Sequence, residues 1–193
     1  MKRFYLLLVA LFFAFRSMAS IYPEVLFENS LMPKSYHYSH AFYQGGSWIS
    51  QMNGHLPVSD SIFFTPGNAL MLHYVSADKG QWEATIRFRN DEGYLAKNGD
   101  VLMLKLFVAS DGDRSALPSI QVMQGEKASS ELALSSYISE YADHSWLSIA
   151  IPLEDLGGLD PQAPVSSLVL KQGGNHDNKE HMMFVDQIEF LPA

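Results

Sequence analysis

Short runs in which apolar and polar residues alternate recur along the chain, each bounded by Gly, Asn, Asp or Pro, and a period of two marks strands half-buried in a sheet. The clearest runs are Ala69 to Val75, Trp82 to Arg89, Val101 to Ala109, Ser119 to Met123, Trp146 to Ile151, Ser167 to Lys171 and His181 to Phe190. Shorter ones fall at Val25 to Phe27 and Ile62 to Thr65. Beyond the N-terminus no long stretch carries the i, i+3, i+4 spacing of an amphipathic helix. Pro66-Gly67-Asn68, Asn98-Gly99-Asp100 and Asp111-Gly112 supply turns between the runs. The pattern predicts an all-β, two-sheet β-sandwich of the jelly-roll kind, with an immunoglobulin-type sandwich as the alternative.

Strand parity sorts the residues further. In Val101 to Ala109, Leu102, Leu104, Leu106 and Val108 form the core face, leaving Met103, Lys105 and Phe107 on the other. Trp82, Ala84, Ile86 and Phe88 point inward, and Glu83, Thr85, Arg87 and Arg89 outward, so Lys105 and Arg87 are expected on one wet sheet face. In the last run Met182, Phe184, Asp186, Ile188 and Phe190 read as the apolar side, which places the carboxylate of Asp186 among core residues.

The N-terminus changes the picture of location. Met1-Lys2-Arg3, the apolar run Phe4 to Phe15 and Ser17-Met18-Ala19 read as a signal peptide over residues 1–19. Residues 20–193 then form a single sandwich, secreted or periplasmic, with no membrane insertion after cleavage. The 193 residues carry 13 Lys+Arg against 21 Asp+Glu, a formal charge of −8, and loss of Lys2, Arg3 and Arg16 makes the remainder more acidic. Nucleic acid is a poor partner for that charge, because binding it depends on clustered Lys and Arg. With no Cys, disulfides, thiol nucleophiles and thiolate metal sites are excluded.

Gly67-Asn68-Ala69-Leu70, Leu117-Pro118-Ser119-Ile120, Trp146 followed by Ile151-Pro152-Leu153, and Gln172-Gly173 followed by Glu180-His181 and Val185-Asp186-Gln187-Ile188 occur in one order. This order resembles the galactose-binding-like jelly-roll domains, akin to carbohydrate-binding modules, that accompany secreted bacterial glycoside hydrolases. The resemblance runs from about Val25 to Phe190. It implies a non-catalytic domain recognising a poly- or oligosaccharide, a glycoside hydrolase as partner, and a structural calcium ion near the first and last strands. Glu28 and Asp186 are the metal ligands it implies. The residues alone leave two readings of Asp186, a cation ligand or an acceptor of backbone N–H bonds at a corner of the sandwich.

Sugars stack on aromatic rings and are fixed by polar groups, so exposed Trp and Tyr are the first candidates. Trp48, in the loop-like Gln44-Gly45-Gly46-Ser47-Trp48, leads the three Trp; Trp82 and Trp146 read as structural. The segment Tyr36-His37-Tyr38-Ser39-His40 with Phe42-Tyr43 reads equally as a glycan platform, through Tyr36 and Tyr38, or as a cap on the end of the sandwich. Arg87, Asn90, Gln172 and His181 are the candidates for selecting hydroxyls. The alternatives to sugar binding are a structural or protein-interaction sandwich of the cell envelope, and a small polysaccharide lyase or hydrolase. No Gly-x-Ser-x-Gly elbow or His-Glu-x-x-His spacing supports the enzymatic one.

Overall fold

The computed structural model describes residues 24–89, 92–109, 114–139, 142 and 144–193; the expected signal segment 1–19 and Asn90 lie outside them. These residues form fourteen strands and two short 3₁₀ turns, Arg114–Ala116 and Leu134–Tyr137. In chain order the strands are β1 (Val25–Phe27), β2 (Ser35–Tyr36), β3 (Ser39–Gln44), β4 (Trp48–Ile49), β5 (Leu56–Ser59), β6 (Ala69–Val75) and β7 (Gln81–Arg87). They continue as β8 (Val101–Val108), β9 (Ser119–Gln124), β10 (Lys127–Ala128), β11 (Leu132–Ala133), β12 (Trp146–Pro152), β13 (Ser167–Lys171) and β14 (Glu180–Leu191). No helix among them is long and apolar enough to cross a membrane.

Two antiparallel sheets pack face to face. The eight-stranded sheet runs β12-β8-β14-β6-β5-β2, with β1 beside β14 and β4 beside β6; the six-stranded sheet runs β10-β9-β13-β7-β3, with β11 beside β9. Alternation explains the core between them: Leu102, Leu104 and Leu106 from β8 meet Trp82, Ala84 and Ile86 from β7, all fully buried. Trp82 lies against Tyr74, ring centroids 4.5 Å apart, and its Nε1 donates to Ser76 Oγ at 3.1 Å. The all-β sandwich expected from the alternating runs is the fold observed.

Three expectations about faces are corrected. Arg87 on β7 belongs to the six-stranded sheet and Lys105 on β8 to the eight-stranded one, so they share no face. Ile62 to Thr65 forms no strand, while the aromatic segment after Tyr36 contains one, β3, at the edge of its sheet. In β14 the alternation breaks: the register shifts after Asp186, and Gln187 takes φ of 46°. A bulge of this kind adds one residue to a strand and resets which face follows. His181, Met183, Val185, Ile188 and Phe190 therefore face the core, and Asp186 lies on the outward side with Met182 and Phe184.

One crossover between the sheets, from β3 to β4, depends on a glycine. Gly45, between β3 and β4, has φ of 66°, and a Cβ there would sit 2.2 Å from the Lys79 carbonyl oxygen. Only glycine fits that turn, which carries the chain from one sheet to the other and delivers Trp48.

At the far end, Asp100 is buried and accepts hydrogen bonds from Tyr94 Oη (2.6 Å), Lys97 N (2.7 Å) and Ala193 N (3.2 Å). Burial pushes its carboxyl up, but these bonds outweigh burial and hold it below the usual carboxylate range. Asp177 is likewise held low: burial opposes, and the bonds from His181 and Lys179 N prevail. A depressed carboxylate contributes stability that is present above its unfolded pKa and lost as pH falls toward its folded one. The unfolding free energy is therefore expected to decline below about pH 4. Asp186, raised in the fold, contributes with the opposite sign. The check is the difference in urea midpoint between wild type and Asp100→Asn from pH 7 to 3: it should shrink on acidification, and a constant difference would contradict this assignment.

Candidate functional site

The outward side of the eight-stranded sheet carries a continuous cross-strand row of large apolar side chains. Trp146 on β12 pairs with Phe107 on β8, Phe107 with Phe184 on β14, and Phe184 with Met71 on β6. Ring centroids are 5.5 Å apart for Phe107 and Trp146 and 6.1 Å for Phe107 and Phe184. Three inter-strand spacings give the row a length of about 14 Å, enough for several pyranose rings. Parity places it there: Leu147, Ile149 and Ile151 turn inward, leaving Trp146, Ser148 and Ala150 outside.

Further residues frame the row. Trp48 pairs with Val75 on β6 and stands edge-on to His73, centroids 4.8 Å apart; His73 faces Met182 across the strands. Phe64, from the loop before β6, is well exposed and packs edge-on against Trp146 at 5.8 Å. Lys105 lies 4.6 Å over the Phe64 ring and donates to Ser148 Oγ at 2.6 Å. Partly buried aromatics beside a cation and a hydroxyl provide what a sugar needs: π surface for its C–H faces and polar groups for its hydroxyls.

The residues expected to bind ligand fall in different places. Trp48 lies on this face, as a strand residue and not in a loop. Tyr36 is 1% exposed, packed edge-on against Phe27 with its hydroxyl donated to the Leu26 carbonyl, and is a core residue. Tyr38 is exposed, near His37. Phe42 and Tyr43, also exposed, belong to β3 of the other sheet, so Trp48 and the Tyr36–Tyr43 segment do not form one platform. Gln172 is a structural bracket: its Nε2 donates to the Ala77 and Gly80 carbonyls and its Oε1 accepts from Ser47 Oγ. His181 faces the core, with its Nε2 on Asp177 at 3.0 Å and its ring near Tyr74. Trp146, Phe107 and Phe64 were missed; the parity of Trp146 against Leu147, Ile149 and Ile151 was the available signal.

Asp186 is completely buried, and both its oxygens are engaged. Oδ2 accepts from Phe64 N (2.7 Å) and Thr65 N (2.8 Å), and Oδ1 from Gln187 N (2.7 Å). Burial raises its carboxyl and the nearby Glu28 adds to that, against the three N–H bonds. Beside it a cavity of about 180 Å³ is lined by Val25, Glu28, Thr65, Gln187 and Glu189. Gln187 Oε1 is buried there without a partner, and its Nε2 donates to Glu189. Among the described residues no three His, Cys, Asp or Glu side chains gather as a metal cluster. The donors near Glu28 are nevertheless all oxygen, with one orphaned, which fits a hard cation such as calcium better than a transition metal.

The fold is the jelly-roll β-sandwich of carbohydrate-binding modules. A family 30 module of a cellulosomal cellulase from Clostridium thermocellum superposes with a TM-score of 0.66 over 86% of this chain and 95% of its own, at 17% identity. A family 11 module from the same organism, in complex with a β-1,3-1,4-mixed-linked tetrasaccharide, gives 0.57 over 81% and 90%, at 14% identity. A nearer relative is the exo-β-1,2-glucooligosaccharide sophorohydrolase of Parabacteroides distasonis, 35% identical over 177 residues, 89% of this chain and 24% of that protein. The crystal structure of the β-1,2-glucanase from that organism gives a TM-score of 0.81 at 34% identity, over 89% of this chain and 25% of the other. The chain thus spans about a quarter of the length of the curated relative it matches. No family model matches it.

Proposed function

We propose that this domain is a non-catalytic carbohydrate-binding module that holds a β-glucan chain on the outward side of its eight-stranded sheet. The observation that carries this reading is the row Trp146–Phe107–Phe184–Met71, with Phe64, Lys105 and Trp48 around it. Trp146, Phe107 and Met71 are partly exposed around the buried Phe184, and an apolar surface rimmed by polar groups of this kind marks a binding face. The relative acting on β-1,2-glucooligosaccharides makes β-1,2-glucan the first ligand to try, and the mixed-linked β-1,3-1,4-glucan of the family 11 complex the second. The setting we propose is secreted or periplasmic, and the partner a glycoside hydrolase that the domain holds on polymer.

The test is isothermal titration of residues 20–193 with β-1,2-glucan and mixed-linked glucan, with reducing ends measured in the same samples. The expected result is a Kd between about 1 µM and 1 mM without product. Absence of binding to any glucan would overturn the reading, and product release would overturn its non-catalytic part.

Calcium belongs to the proposal as a brace. Glu28 and Gln187 Oε1 would hold it beside Asp186, tying β1 to β14. A ligand that binds only the folded state stabilises by RT ln(1 + [L]/Kd), about 2.7 kcal/mol at a hundredfold excess over Kd. Calcium added to chelator-treated protein is expected to raise the melting midpoint by several degrees, and Glu28→Gln to abolish the rise. An unchanged midpoint would remove calcium from the account.

A further inference from the structure

The segment Ile62 to Thr65, apolar and β-branched like a short strand, joins no sheet, so its position needs another cause. Ser59 Oγ accepts from Ile62 N at 3.0 Å, which fixes the start of the loop. Its end is held by one side chain on a different strand: Asp186 takes the N–H groups of both Phe64 and Thr65 on a single oxygen. Asp186 stands on the outward side in step with Met182 and Phe184, and the bulge that follows it at Gln187 lets the strand go on to bury Ile188 and Phe190. The loop so held puts the exposed Phe64 ring beneath Lys105 Nζ and edge-on against Trp146. The aromatic row is thereby extended at its Trp146 end.

We propose that Asp186 is a positioning residue for ligand recognition: by clamping the Phe64–Thr65 backbone it holds the exposed Phe64 ring edge-on against Trp146, so that Phe64 extends the Trp146–Phe107 surface on which a glucan chain stacks. This rests on the reading of that face as the glucan site and names its geometry, a stacking surface completed by a ring from a clamped loop. Asp186 touches no sugar itself; it acts through Phe64. A carboxylate that merely stabilised the fold would show no preference for that one ring.

A double-mutant cycle in chelator separates the two roles. Phe64→Ala is expected to weaken glucan binding about tenfold and Asp186→Asn about fivefold, because the amide keeps one acceptor oxygen but loses its charge-assisted grip. In the Phe64→Ala background, Asp186→Asn should cost nothing more. Additive losses would overturn the proposal, as would unchanged affinity in Asp186→Asn. A ligand-free readout accompanies the cycle: the nuclear Overhauser contacts between the Phe64 and Trp146 rings should weaken in Asp186→Asn, and their persistence at full strength would contradict the clamp. Should Asp186→Asn fail to fold, Thr65→Pro, which deletes one of the clamped N–H donors, takes its place with the same expectations. If wild type binds no glucan, the functional reading falls while the ring contacts still decide the positioning.

Discussion

Trp146→Ala is expected to lower glucan affinity about 30-fold, roughly 2 kcal/mol at an aromatic hot spot. The ring closes one end of the cross-strand row and touches both Phe107 and Phe64, so its loss removes the surface on which a sugar would stack and the ring against which Phe64 packs. The fold should survive. Trp146 is only half-buried, stands at the first position of β12 and contributes nothing to the packing between the sheets, which Ile149 and Ile151 of the same strand provide. Titration alongside a melting curve checks both halves of this expectation. Phe42→Ala, on the other sheet, is the matched control: an exposed aromatic whose removal should leave affinity unchanged.

The second large effect is on stability. Trp82→Ala should destabilise the domain by about 4 kcal/mol, a large share of the 5–15 kcal/mol that holds a typical domain together. Trp82 is 1% exposed, lies across Tyr74 and satisfies its N–H on Ser76, so truncation opens a cavity between the two sheets. Urea unfolding gives the number directly, and a loss below about 1 kcal/mol would show that the core does not close around this ring. The contrast with Trp146→Ala is informative: one tryptophan serves the core and the other the face.

That contrast was partly legible in the sequence. Trp82 alternates with Ala84 and Ile86, and its burial follows from spacing alone. Trp146 alternates with Ser148 and Ala150 against three aliphatic residues, so the same rule put it outside; the following Ile-Pro-Leu drew attention to packing instead. Most strands of seven or more residues were readable because alternation repeats often enough to define a face. The short pieces β2, β4 and β5 were not, since two to four residues carry no period. The bulge in β14 was hidden for a different reason: a single backbone angle at Gln187 decides it, and nothing in the residue type announces a positive φ. That one residue puts Ile188 and Phe190 on the core face while Met182, Phe184 and Asp186 lie on the outward one.

The site was harder to read than the fold because it is assembled across strands. Trp146, Phe107, Phe184 and Met71 come from four strands and become neighbours only once strand order and register are known. Tyr36 and Tyr38, by contrast, look like a cluster in sequence, yet alternation sends one ring into the core and leaves the other in solvent.

Chemical-shift mapping of labelled protein titrated with β-1,2-glucan, and with mixed-linked glucan in parallel, tests the central claim most directly. Perturbations should concentrate on Phe64, Met71, Lys105, Phe107, Trp146 and Phe184, with His40, Phe42, Tyr43 and Arg87 of the six-stranded sheet unmoved. Perturbations confined to that second set, or none with either glucan, would contradict the assignment of the eight-stranded face as the glucan site.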